Sequence, residues 1–218
     1  MARGGMVVRV KRCLDVVGAA AGLLFLAPLL AGIAFALRVT QGAPVLYRQR
    51  RPGRHGRPFT LLKFRTMRAP RPGEVWFRSE AARLSRLGRF LRTSSLDELP
   101  ELWNVLRGEM SLVGPRPLLP EYLEAYTTEE RRRHDVRPGI TGWAAVNGRN
   151  TTPFRDRLAL DVWYVDHWSL ALDLRILALT LLRVVRREGA AAFEDSKALG
   201  FPVERLHAAS PEAKREVL

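Results

Sequence analysis

The chain has 218 residues, with 36 Lys and Arg against 22 Asp and Glu and a formal net charge of +14. That length holds one domain with a modest core, and the charge turns the protein toward nucleic acid, anionic lipid or nucleotide phosphate. The single cysteine, Cys13, excludes an intramolecular disulfide and points to a cytosol-facing protein.

Residues 1–15 carry Arg3, Arg9, Lys11 and Arg12 and lead into an uncharged apolar run, Val16 to Leu37. As a helix the run reaches ~33 Å, enough to cross a hydrocarbon core of about 30 Å. A signal peptide would share the basic start and the A-x-A at Ala34 to Ala36, but its apolar region is shorter and no arginines follow it directly. A spanning helix fits length and hydropathy. Against it stand Pro28 near the middle, which deletes one backbone hydrogen bond, and basic residues on both flanks, which hold both ends on the cytoplasmic side. A bent, re-entrant helix satisfies both observations, with its break at Ala27 and Pro28.

From Ala43 to Met67 the pattern changes to two short strands, PVLYRQR and PFTLLKFRTM, around a turn punctuated by Pro52-Gly53 and His55-Gly56. Period-two alternation in the second strand puts Phe59, Leu61, Lys63 and Arg65 on one face. Arg68 to Arg78 reads as a surface loop. Ser79 to Arg92 reads as a helix with Leu84, Leu87, Phe90 and Leu91 on one side and Arg83, Arg86 and Arg89 on the other, suited either to a membrane surface or to the core.

Arg92 to Pro117, RTSSLDELPELWNVLRGEMSLVGPRP, sets Asp97 and Glu98 beside a helix start. Ser95 with Glu98 has the form of a capping box, which would place Pro100 inside the helix. If Pro100 instead opens the helix, the pair lies just outside it. In both cases the carboxylates sit near unsatisfied amides that favour their ionised form and attract phosphate. Arg92, Arg107 and Arg116 flank the pair, and a divalent metal suits two carboxylates that meet a diphosphate.

Pro120 to Arg133, rich in Glu and Arg, reads as a solvated helix. The loop VRPGITGWAAVNGRN, Val136 to Asn150, offers backbone amides, Arg137 and Arg149 to an anion. His167 lacks a second metal ligand at helical spacing and reads as structural. Leu174 to Val185 is an apolar helix of about twelve residues, too short to span and suited to the headgroup plane, with Trp163 and Trp168 at the interface. Residues 189–218 show no sustained pattern.

Thr93 to Pro117, the KFRTM of Lys63 to Met67 and the Val136 to Asn150 loop together resemble the bacterial sugar transferases, the monotopic phosphoglycosyl transferases, over about Val10 to Leu182. The resemblance implies that Asp97 is the nucleophile, that Glu98 completes a catalytic dyad, and that both carboxylates hold magnesium. It further implies substrate-phosphate contacts from Lys63, Arg65, Arg92 and Arg116, and nucleotide or sugar contacts from Arg137, Asn147 and Arg149. Two departures stand out. The family's membrane-dipping helix breaks at Ser-Pro where this chain has Ala27-Pro28, and the family usually has Gln at Ala145.

The expected architecture is an α-rich, mixed α/β monotopic membrane protein with one re-entrant N-terminal helix, amphipathic interfacial helices and a small β-hairpin. Residues 1–40 form the membrane segment, 41–188 the catalytic domain and 189–218 a tail. The expected reaction moves a sugar 1-phosphate from a UDP-sugar to polyprenol phosphate at the cytoplasmic face of a bacterial inner membrane. Anionic lipids are partners, nucleic acid is not, and downstream glycosyltransferases follow. The N-terminus lacks the extra transmembrane helices of larger relatives, so the small form is expected. The rival is a membrane-anchored basic protein that binds nucleic acid or anionic lipid, with the dyad as a helix cap. Its arginines, however, are interleaved with an apolar segment and not with base-stacking aromatics. A second rival is a transferase with a different acceptor.

Overall fold

The computed structural model describes residues 2–68, 83–147 and 153–186. Most of the Arg68–Arg78 loop, residues 79–82, Arg149 and the 189–218 tail lie outside the described residues. Twelve named elements follow in chain order. Helices α1 (Ala2–Phe25) and α2 (Ala27–Gln41) lead into strands β1 (Leu46–Pro52) and β2 (Pro58–Phe64), then α3 (Arg86–Thr93), α4 (Glu101–Arg107) and β3 (Ser111–Val113). After these come α5 (Thr128–Arg131), β4 (Gly139–Thr141), α6 (Trp143–Asn147), α7 (Phe154–His167) and α8 (Leu170–Arg186).

The apolar N-terminal run is helical on both sides of Leu26 and bends by 61° there. Pro28 falls in the first turn of α2, where its missing N–H has no partner to lose. The break expected at Ala27 and Pro28 is present, and the chain avoids the cost of a proline in mid-helix by starting a new helix at Ala27. No single described helix is long and apolar enough to cross a membrane, but the bent pair passes that test together. Leu24 and Phe25 stand at the bend 72% and 80% exposed.

Three residues of the run, Ala19, Ile33 and Leu37, are nonetheless buried in protein. Ala19 packs with Phe59, Leu61, Leu102, Val105 and Met110, while Ile33 and Leu37 pack with Phe64 and Leu91. Of the charged residues before the run, Lys11, Arg12 and Asp15 are internal ties. Lys11 pairs with Asp173 at 2.6 Å, Arg12 donates to the carbonyls of Val105 and Leu106, and the buried Asp15 accepts from Ser111 and the Leu112 amide.

Strands β1 and β2 form the expected antiparallel hairpin, with Tyr47 opposite Lys63 and Pro52 opposite Pro58. Asn104 on α4 fixes it, accepting from the Leu62 amide and donating to the Thr60 carbonyl. Losing that side chain would remove two hydrogen bonds, each worth about 0.5–1.5 kcal/mol. A second, unexpected sheet joins β3 and β4 in parallel. A Cβ on Gly139 would lie 2.1 Å from the Gly114 amide nitrogen, so only glycine lets the two segments approach this closely.

Three other expectations change. Helix α3 is shorter than Ser79–Arg92 and begins after the Ser85 cap; Leu87 and Leu91 face the core, Phe90 is exposed and Arg83 is buried. The Pro120–Arg133 segment is not one solvated helix. It breaks into two tight turns and α5, because Tyr122, Tyr126 and Arg133 turn inward on α7. The last helix, α8, runs 17 residues because it starts four residues before Leu174, and Leu174, Leu181 and Leu182 are exposed along it. His167 stacks on Trp163 with centroids 4.3 Å apart, and no described cluster of His, Cys, Asp or Glu surrounds it.

His134 ties the β1–β2 turn to this region through Nδ1 and the Gly53 carbonyl at 3.2 Å. A carbonyl only accepts, so Nδ1 carries the proton. Burial, and then the neighbouring Arg133 charge, push the imidazole down to about 4. The unfolded chain therefore takes up the extra proton first. Stability is full above the ordinary value near 6.5 and falls as pH drops toward 4. Urea titrations between pH 7 and 4 should show this slope, and His134→Gln should flatten it; an unchanged slope would remove His134 as its source.

Candidate active site

The site begins where α3 ends. Ser95 takes the left-handed conformation (φ 56°), at a cost of about 1 kcal/mol for a residue with a Cβ. The chain then makes a single tight turn, Leu96–Glu98. The Ser95 side chain caps nothing, so the capping box does not form. Pro100 immediately precedes α4, whose first residue is Glu101, and the dyad lies outside the helix. Proline decides this outcome, because it is tolerated at a helix start and costly further in.

Glu98 is the charge centre. Its Oε1 accepts from Lys63 Nζ at 2.6 Å and from Arg116 Nη2, and its Oε2 accepts from Arg116 Nη1 at 3.2 Å. Burial alone would raise its pKa, but the Arg116 and Lys63 charges and hydrogen bonds outweigh that and hold it well below the usual carboxylate range.

Asp97 is different. It is buried and accepts no hydrogen bond from the described residues. Burial first, and then the Glu98 charge, push it up to about 6, with Lys63, Arg92 and Arg116 opposing. Two adjacent carboxylates are thereby given separate roles: one locked as an anion, the other unengaged and still ionised at neutral pH.

Of the expected phosphate ligands, Lys63 and Arg116 meet at Glu98. Arg92 donates to Thr66 Oγ1 at 3.0 Å, and its charge reaches Asp97. Arg65 points elsewhere. Strand β2 ends at Phe64, which packs against α2 and α3, so the alternation fails and the Arg65 guanidinium turns to the carbonyls of Gln41, Gly42 and Ala43. Arg137 donates to the Gly108 carbonyl beyond the far end of α4, roughly 10 Å of helix from the dyad. Asn147 is exposed and donates to Trp143 in its own helix. Ala27 and Pro28 follow the bend as the first two residues of α2.

Sequence reasoning missed Glu101. It is 2% exposed, lies 3.1 Å from Lys63, and is raised to about 7 by burial against the pull of that lysine. Its signal was available as the third carboxylate in DELPE. Lys63 is thus shared between two carboxylates.

The carboxylates fit a magnesium ion. That ion is usually held by one or two carboxylates together with substrate phosphate and water, and Asp97 offers an oxygen with no described partner beside Glu98. No larger ligand cluster exists among the described residues.

Residues 6–187 match the family described as bacterial sugar transferase. The chain is 54% identical over 153 residues to an uncharacterized sugar transferase, EpsL, of Bacillus subtilis, covering 70% of this chain and 76% of that protein. It is 43% identical over 190 residues to a UDP-glucose:undecaprenyl-phosphate glucose-1-phosphate transferase of Caulobacter vibrioides, covering 83% of this chain and 71% of that protein. It is 41% identical over 199 residues to a protein of the same name from Xanthomonas campestris, of which it covers only 41%. With the acidic dyad, its basic clamp and the matched span all within one fold, this chain belongs to the bacterial sugar transferase family.

Proposed function

We propose that the protein transfers a sugar 1-phosphate from a UDP-sugar to a polyprenol phosphate of the undecaprenyl type, through a covalent intermediate on Asp97. The observation that carries this reading is the division of labour in the dyad. Glu98 is paired with Lys63 and Arg116, and Asp97 remains an unengaged carboxylate beside them. Relatives named for undecaprenyl-phosphate glucose and galactose transfer support the choice of substrates.

In the first displacement an Asp97 oxygen attacks the phosphorus bonded to the sugar. The bond from that phosphorus to the bridging oxygen breaks, and UMP leaves with the electron pair. In the second, an oxygen of polyprenol phosphate attacks the same phosphorus, breaks its bond to Asp97 and restores the carboxylate. Lys63, Arg116 and Arg92 place positive charge where the transferring phosphoryl group develops negative charge. Glu98 keeps Lys63 and Arg116 aimed at one point. Magnesium, held by Asp97 and Glu98, would neutralise the diphosphate when bound.

The bent α1–α2 pair brings this site to a lipid substrate. Its bend exposes Leu24 and Phe25, and Phe35 on α2 is 72% exposed. Inserted bend-first, the pair leaves both ends on the cytoplasmic face and seats the catalytic domain there. The exposed leucines of α8 add an apolar surface of the kind that lies in a headgroup plane. The basic-anchor rival has weaker support, because a helix cap needs no pair of cations clamped on Glu98.

Asp97→Asn keeps the shape of the site but removes the attacking carboxylate. It should abolish UMP release from UDP-glucose or UDP-galactose, and mass spectrometry of the wild type should place a phospho-sugar on residue 97. Near-normal turnover by the variant would sink the assignment. Lys63→Ala should lower kcat about a hundredfold. EDTA should stop UMP release and added magnesium restore it, whereas full activity in EDTA would remove the metal from the reaction. For the membrane segment, Met6→Cys and Thr40→Cys in a Cys13→Ser background should both react only with a cytoplasmic maleimide. Periplasmic labelling at residue 6 would show a spanning helix.

A further inference from the structure

Arg116 sits in the triplet Pro115-Arg116-Pro117, which has a single backbone N–H, that of Arg116. Such a segment is located largely by what its carbonyls accept. The Pro115 carbonyl accepts from the Gly139 amide at 3.0 Å, and the Arg116 carbonyl accepts from Arg133 Nη2 at 2.6 Å. Arg133 is 2% exposed, and its Nε and Nη2 also donate to Asp161 Oδ2 on α7, at 3.1 and 2.6 Å. A buried guanidinium and a buried carboxylate are costly to bring out of water, and replacing such a pair with apolar residues is often neutral for stability. Here one N–H of the pair is spent on the backbone of the residue that clamps Glu98.

We infer that Arg133, held by Asp161, is a positioning residue for the phosphoryl-transfer site: it fixes the Arg116 backbone so that the Arg116 side chain meets Glu98 and the substrate phosphate. This inference rests on the reading of Asp97 as nucleophile. Helix α7 thereby takes part in the chemistry without supplying a group that touches substrate. Lysine cannot replace Arg133, because one ammonium on a flexible stem lacks the fixed fork that meets Asp161 and the Arg116 carbonyl together.

The test separates rate from folded fraction. The purified full chain in lipid nanodiscs would be mixed with UDP-glucose, UDP-galactose and their N-acetylated counterparts, each labelled in the sugar-linked phosphate. Label bound to Asp97 is then followed over a single turnover. Arg133→Lys keeps the charge on Asp161. Arg133→Met with Asp161→Leu removes both charges and leaves neither stranded, so a failure of one variant to fold does not decide the matter. Both should reach the wild-type amplitude with a rate constant about ten- to a hundredfold lower. In an Arg116→Ala background neither change should slow the reaction further. A lower amplitude at an unchanged rate constant would show a purely structural role and overturn the inference, as would losses that multiply with Arg116→Ala. Wild-type label on Asp97 with variant rates unaltered overturns this inference alone. Absence of label from the wild type overturns the nucleophile reading, and this inference with it.

Discussion

A carboxylate removed from water must be met by positive charge, and Glu98 is met twice. The requirement reaches far into the chain. Lys63 comes from the end of β2 away from the hairpin turn, in a strand that Asn104 pins to α4, and Arg116 comes from a proline-flanked segment packed on β4. Lys63 lies 35 residues before Glu98 in sequence and Arg116 lies 18 residues after it. The fold is therefore the means by which two distant basic groups are brought to one anion, leaving the neighbouring Asp97 unengaged. Were Glu98 neutral, Lys63 and Arg116 would repel each other, and the same packing would work against the site.

The high positive charge has a second use besides meeting anionic substrates. Three arginines serve as caps on helix C-termini, where unpaired carbonyls and the negative end of the dipole favour a cation. Arg65 takes the carbonyls that follow α2, while Arg12 and Arg137 take those at the end of α4. Arginine suits this task because its rigid fork reaches two carbonyls at once. The resemblance points Arg65 and Arg137 at substrate, whereas in the fold their guanidiniums meet these carbonyls.

That difference explains what was legible beforehand. The hairpin, the broken apolar run and the acidic pair announce themselves through alternation, proline and adjacency, all of which are local signals. The joining of Lys63 and Arg116 to Glu98 was expected only as membership of a common site. The destination of Arg65 was hidden because alternation says which face a residue takes but not where the strand ends; Phe64 ends it by packing between α2 and α3. Arg133 was read as solvent-facing in the run RRRH, since nothing within that run reveals a buried aspartate 28 residues later. The parallel β3–β4 pair was also missed, as three-residue strands are too short to show a period. Glu101 lay in plain view, and Pro100 obscured its place by leaving two possible helix starts.

The bond between Lys11 and Asp173 joins the first helix to the last, and Arg12 and Asp15 likewise wait for partners some ninety to a hundred residues downstream. A ribosome releases α1 long before any of these groups exists. During synthesis, then, the apolar helix carries Lys11, Arg12 and Asp15 without their final partners, and a polar lipid headgroup layer is the natural place for it to wait. Assembly becomes an event of high contact order: the domain closes onto its first helix only when nearly the whole described chain is out. A chain cut short before α8 would keep Asp97, Glu98, Lys63 and Arg116. It would lack the carboxylate that Lys11 requires.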